Sequence, residues 1–225
     1  GAHIVTSQVE HPAVLEVCRY LEARGFEVTR LPVDSTGLVD PADVEAAITG
    51  RTILVSIMHA NNEVGTIQPI ERICAIARKK GIPVHTDAAQ SAGKIPVDVG
   101  SLGVDMLSLA GHKLYAPKGV GALYVRRGLA LERLLLGAGQ EGGRRAGTEN
   151  VTQIVGLGKA CEIAARDLDR NSRRMRATRD ALCDGLRERL PAIRVNGHPD
   201  RRLPNTLSVG FPGVDAERIL DRISG

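Results

Sequence analysis

Aromatic side chains make up only 2% of the 225 residues: two Phe, three Tyr and no Trp. The interior must therefore be built from Val, Ile, Leu and Ala, which fit within a chain that is 43% hydrophobic. Cysteine is scarce as well. Cys18, Cys74, Cys161 and Cys183 form no CxxC pair and lack the spacing of a zinc cluster, so no metal is expected. They read as free thiols of a reduced compartment, which points to the cytoplasm. No stretch approaches eighteen apolar residues, and no membrane span is expected. The opening GAHIVTSQVEHP has neither a basic segment nor a long apolar run, so it does not read as a signal peptide. It enters a strand almost at once, and the expectation is a chain cut from something longer. Fixed-period repeats and low-complexity segments are missing too.

The net charge of +4 is a weak hint of acidic partners. Arginine is concentrated in RDLDRNSRRMRATRD (166–180), but Asp167, Asp169 and Asp180 are interspersed. Mixed charge of this kind marks a solvated helix face, and no nucleic-acid binding is expected.

Short apolar runs alternate with helical patterns. HIVTS, FEVTRLP, TILVSIM, IPVHTD, VDMLSLA and GALYVRR read as strands, with TILVSIM expected to be buried on both faces. Pro12 to Arg24, Asp40-Pro41 through about Ile48, and Pro69 to Lys80 read as helices, the second opened by a cap and proline, the first and third stopped by Gly25 and Gly81. Strands alternating with helices imply an α/β fold: a mostly parallel sheet with helices on both faces. After Gly128 the pattern changes. A Gly-rich loop at 137–148 leads into a long helical pattern from about Glu149 to Leu190. IRV, TLSVGF and a helix from near Asp215 then read as part of a smaller α+β unit.

Ligands of a parallel α/β sheet sit at the carboxyl ends of its strands. TILVSIM is followed by His59-Ala60-Asn61-Asn62-Glu63, IPVHT by Asp87-Ala88-Ala89-Gln90, and VDMLSLA by Gly111-His112-Lys113. Taken singly, Asp87 reads equally as an N-cap, Asn62 as an Asx-turn residue, Gln90 as surface and Lys113 as a solvated lysine. The combination carries more weight. An Asp at one strand end and a Lys at another, 26 residues later, are what a pyridine cofactor needs. The amine condenses with its carbonyl, and the carboxylate keeps its ring nitrogen protonated.

Five segments, VEHPAV, SIMHANNEVGTIQPI, VHTDAAQSAGK, DMLSLAGHKLYAPKGVGALYVRR and GQEGGRRAGTENV, together resemble the cysteine desulfurases of the nitrogen-fixation and iron–sulfur-cluster type. These are pyridoxal 5'-phosphate enzymes of fold type I, in the class V aminotransferase group. The resemblance runs over essentially the whole chain. It implies a seven-stranded-type sheet and conversion of L-cysteine to L-alanine. Sulfur would pass as a persulfide to acceptor or scaffold proteins for iron–sulfur cluster or thio-cofactor assembly. It also implies a homodimer with shared active sites.

By position, the resemblance makes Lys113 the cofactor-bearing lysine and carrier of the substrate α-proton. Asp87 would be the partner of the ring nitrogen. Gln90 would bond the phenolic oxygen, with Asn62 at the same edge. His11 would stack on the ring and transfer protons, and Ala89 would pack on the opposite face. His112 would be a phosphate ligand, and Thr148 a phosphate ligand supplied to the second subunit. Two other readings stay open: a selenocysteine lyase, and a non-catalytic fragment or scaffold of the same fold.

Departures from the family pattern set further expectations. Ala110 stands where many members have a phosphate-binding Ser. The family's N-terminal phosphate-binding Thr, its catalytic cysteine loop and its substrate-carboxylate Arg match nothing in the chain. The expected division is a cofactor-binding large domain over residues 1–166 and a partial small domain over 167–225, with the chain inactive alone.

Overall fold

The computed structural model describes residues 1–190 and 192–223. Six strands form one sheet in the order β2-β1-β3-β4-β5-β6: β1 (His3–Ser7), β2 (Glu27–Leu31), β3 (Thr52–Ser56), β4 (Val84–Asp87), β5 (Met106–Ala110) and β6 (Gly121–Val125). All neighbours run parallel except β5 and β6, which are antiparallel. The resemblance implied a seven-stranded type. Among the described residues this sheet has six strands, one for each of the six strand patterns in the sequence.

The helices are α1 (Pro12–Glu22), α2 (Pro41–Ala47), α3 (Ile70–Lys79), a short α4 (Val99–Leu102), a single turn α5 (Gln140–Gly143), α6 (Val151–Arg189) and α7 (Ala216–Ile223). Their starts follow local chemistry. Asp40 accepts from Ala42 N at 2.9 Å and caps α2, with Pro41 in the first turn. In α3 the buried Ile70, Ile73, Cys74 and Ala77 recur at helical spacing, with Glu71 in the first turn and Arg78 and Lys79 in the last. That stripe packs with Val44 of α2, Leu102 of α4 and the sheet residues Val5, Val55, Val84 and Leu107 in one core. Each fully buried Val or Ile side chain there stabilises the fold by about 1.5–3 kcal/mol.

The opposite face meets α1, tied to β2 by two 2.7 Å bonds from Arg30 to the Glu22 carboxylate. Helices thus lie on both faces. A second apolar cluster joins Leu157, Ala160 and Ala164 of α6 to Ala92, Leu114 and Ala116.

β3 is less buried than its apolar sequence predicts, for Ile53 is 48% exposed. The ladder with β1 slips there: His3 pairs with Thr52 and Ile4 with Leu54, so Ile53 is left unpaired and turned outward. α6 is one continuous helix of 39 residues, so the expected 166/167 division falls inside it. Its charged half carries the Arg166–Asp167, Arg170–Asp167 and Arg179–Asp180 pairs, each joining one exposed side chain to one largely covered, Asp167 or Arg179. Beyond it, β7 (Arg194–Asn196) and β8 (Ser208–Gly210) form a two-stranded antiparallel sheet. Residues 191, 224 and 225 of the expected small unit lie outside the described residues. No helix among the described residues is long and apolar enough to cross a membrane.

Candidate functional site

The carboxyl ends of β3, β4 and β5 open into one cavity of about 540 Å³. His11, Asn62, Asp87, Ala89, Gln90, His112 and Lys113 all line it, together with Met58 and Ser108. Seven of the eight residues singled out in the sequence therefore meet in one place. Thr148 does not: it is exposed and outside this cavity of its own chain.

Each side chain is aimed by its backbone. Asp87 ends β4, and its Oδ1 accepts from Ala89 N at 2.8 Å, holding the turn that carries Ala89 and Gln90. The N-cap reading of Asp87 and a ligand role are thus compatible, one oxygen being used for each. His11 is the N-cap of α1, and its Nδ1 accepts from Ala13 N at 3.1 Å. In the neutral ring this puts the hydrogen on Nε2 and leaves that nitrogen free to meet a ligand.

The Asn62 loop is braced by its neighbour. Asn61 Oδ1 accepts from Glu63 N and Val64 N at 2.9 Å each, and its Nδ2 donates to Val9 O at 2.9 Å. That last bond ties the β3 loop to the loop that carries His11. Asn62 itself donates from Nδ2 to Glu63 Oε1 at 2.8 Å.

Lys113 lies in a 3-10 turn, Gly111–Leu114, closed by Tyr115 in the left-handed region at φ 62°. Gly111 makes this turn possible. A Cβ built there would lie 2.6 Å from Val120 O and 2.9 Å from Val120 Cγ1. Only glycine lets the turn lie this close to the returning chain.

Three features escaped the sequence reading. Glu10, next to His11, is buried. Its Oε1 accepts from Ser7 Oγ at 2.7 Å and from Met58 N at 2.9 Å. Burial pushes its carboxyl up to about 7, against those hydrogen bonds and with help from the nearby Asp87 charge. Second, a polar chain links β3, β4 and β5 and ends on a cavity residue: Ser56 Oγ lies 2.8 Å from His85 Nδ1, and His85 Nε2 lies 2.8 Å from Ser108 Oγ. Burial lowers the His85 pKa. The period of two, which puts His85 on the face of Asp87, was a usable signal; the serines needed the strand register. Third, Lys94 reaches back to Gln90, four residues earlier.

The loop before α6 is folded on itself. Arg145 Nη1 donates to Gly147 O at 2.7 Å, and Gln140 Oε1 accepts from Gly147 N at 3.1 Å. All four cysteines are free, and Cys18, Cys74 and Cys183 are buried. Burial raises the Cys18 thiol and pushes Cys74 up to about 12. Among the described residues no cysteine lines the cavity.

A sheet with a lysine at one strand end and a carboxylate at the next defines a class rather than a single enzyme. The chain belongs to the aminotransferase class-V family, whose model matches residues 1–223. Within it the chain is similar to cysteine desulfurases. It is 50% identical to a cysteine desulfurase IscS from Dictyoglomus turgidum, over 98% of this chain and 56% of that protein. Its fold superposes on a NifS-like protein with a TM-score of 0.95 at 44% identity, covering all of this chain and 61% of the other. SspA in complex with cysteine aligns at a TM-score of 0.83 and 40% identity, over 99% of this chain and 61% of that one. The chain thus spans about half the length of the curated relatives it matches. The family and these desulfurases depend on pyridoxal phosphate. The residues present suit that group: one amine, one carboxylate with an oxygen to spare, two side-chain amides and two imidazoles around a hollow of the right scale.

Proposed function

We propose that this chain carries the cofactor site of a pyridoxal-phosphate-dependent cysteine desulfurase. The substrate is L-cysteine, the product L-alanine, and the sulfur leaves as a persulfide to acceptor proteins of the cytoplasm. The observation that carries the reading is the convergence of Asp87, Lys113, His11, Gln90 and Asn62 on one cavity. The likeness to proteins named cysteine desulfurase, and to one solved with cysteine, favours this substrate.

When bound, pyridoxal phosphate supplies an electron sink that labilises bonds at the substrate's Cα and Cβ. Lys113 Nζ would be the attachment point and would carry the substrate α-proton. Asp87 would keep the ring nitrogen protonated through its spare oxygen. Ala89 would leave room for a flat ring, and the His11 imidazole, anchored through Nδ1, would meet the ring. Gln90 and Asn62 would bond the phenolic oxygen, and His112 the phosphate. None of the four cysteines takes the nucleophile's part.

Thr148 is proposed to complete the phosphate site of a second copy in a homodimer, which suits its position outside its own cavity. Leu134 and Leu136, 92% and 83% exposed, stand just before this loop, and Val151 and Val155 are exposed on the first turns of α6. Apolar side chains so exposed favour such an interface. The large unit is proposed to end within α6, near residue 166.

Adding pyridoxal phosphate and reducing with borohydride tests the site. The expected result is a trapped adduct on Lys113 that Lys113→Ala abolishes. An adduct on another lysine overturns the assignment.

A further inference from the structure

Lys94 has no place in the roles above, yet its surroundings are specific. It follows Gln90 by one helical-type turn, and its Nζ lies 2.7 Å from Gln90 O and 3.4 Å from Gln90 Oε1. It also shares with Lys113 the wall of a neighbouring hollow of about 630 Å³. Among the described residues Lys94 forms no ion pair with a carboxylate. Burial, and next the Lys113 ammonium, push it below the ordinary lysine value. Among the described residues its hydrogen-bond acceptors are the two oxygens of a single residue.

That arrangement fixes which way Gln90 faces. An ammonium has three donors and no acceptor, so the amide atom turned towards it must be the oxygen. The Gln90 NH₂ group is then the end left for the cavity that Gln90 lines, and it has no partner elsewhere in the chain among the described residues. An NH₂ group can only donate. It favours an oxygen that has lost its proton over a hydroxyl that needs an acceptor.

We propose that Lys94 is a positioning residue. By holding both oxygens of Gln90, it turns the amide NH₂ into the cavity and so selects the anionic form of the ligand's phenolic oxygen. This rests on the pyridoxal-phosphate reading and adds the source of the cofactor's ionisation state. The titratable groups lining the cavity are His11, Asp87, His112 and Lys113, with Glu10 and His85 hydrogen-bonded to the lining residues Met58 and Ser108, and Tyr115, Arg174 and Arg179 face Lys94 in the neighbouring hollow.

The test is a pH titration of the visible absorption of pyridoxal phosphate bound to the full chain. Lys94→Met is expected to raise the midpoint by about one pH unit, the loss of one donor to an anion. In a Gln90→Ala background the same substitution is expected to shift nothing further, because Lys94 acts through Gln90. An unchanged midpoint in Lys94→Met overturns the proposal. So does a shift that persists without Gln90, which would mean that Lys94 acts by its charge alone. If Lys94→Met does not fold, Lys94→Leu, which also removes the donor and offers no polar atom to the amide, carries the same two expectations. Side-chain amide NMR of the ligand-free chain gives a second readout. The Gln90 NH₂ signals are expected to shift in Lys94→Met, and identical signals count against the proposal. Failure of the cofactor reading is recognised separately, by the lack of a borohydride-trapped adduct on Lys113 in the wild-type chain.

Discussion

The Glu10 carboxylate and the Met58 backbone amide are joined by a bifurcated bond, with N–O distances of 2.9 Å to Oε1 and 3.1 Å to Oε2. The bond clips the chain just after β1 to the chain just after β3, at Met58 of the cavity lining. Its ionisation has a cost. Raised from 4.5 to about 7 in the folded chain, the carboxyl keeps a proton that the unfolded chain gives up in between. The stability linked to that proton is complete below pH 4.5 and is lost as pH rises through 7. The loss is on the order of 3 kcal/mol. Relative to Glu10→Gln, which cannot titrate, the wild-type chain is expected to weaken by that amount between pH 4.5 and 8. Urea unfolding across this range measures it, and a pH-independent difference would contradict the burial argument.

Asp87 divides its carboxylate between the Ala89 amide and the cavity. Asp87→Asn keeps an oxygen for Ala89 N but gives up the charge. The expected outcome is a melting temperature within a few degrees of wild type and an affinity for pyridoxal phosphate at least tenfold weaker. Absorbance titration and a thermal melt on one preparation separate the two effects.

Gly111 touches the Val120 carbonyl so closely that a methyl group has no space. Gly111→Ala is expected to destabilise the chain by about 1–3 kcal/mol, through displacement of backbone rather than of a flexible side chain. Denaturant unfolding gives the loss, and the yield of borohydride-trapped Lys113 should fall with it.

The cysteines are expected to be bystanders. Cys18 and Cys74 are buried with thiols held protonated, and no cysteine among the described residues lines the cavity. Incubated with L-cysteine and pyridoxal phosphate, this chain should release no sulfide. Turnover that disappears on replacing Cys18, Cys74, Cys161 or Cys183 would relocate the nucleophile.

Much of this architecture is legible in the sequence because punctuation and periodicity are local. Pro12, Pro41 and the Gly25 and Gly81 stops bracket three helices, and six apolar runs become six strands. The rim residues are legible because strand ends are where a parallel sheet meets its ligand. Glu10 is not, because a glutamate before His-Pro reads as surface until the partner at Met58, 48 residues on, is known. The Ser56–His85–Ser108 chain depends on the register of three strands. The bulge that turns Ile53 outward is a property of the pairing and not of the run of side chains.

The reversal of β6 has a geometric consequence for Lys113. A parallel neighbour needs a crossover long enough to travel back along the sheet, and each parallel connection here does so through a helix. Because β6 runs antiparallel to β5, its connection needs only residues 111–120. The amine therefore stands on the shortest tether in the sheet, anchored at both ends by strands bonded to each other. A lysine on a crossover would drift with its helix. This one is indexed to the sheet itself, and so to Asp87 on the adjoining strand.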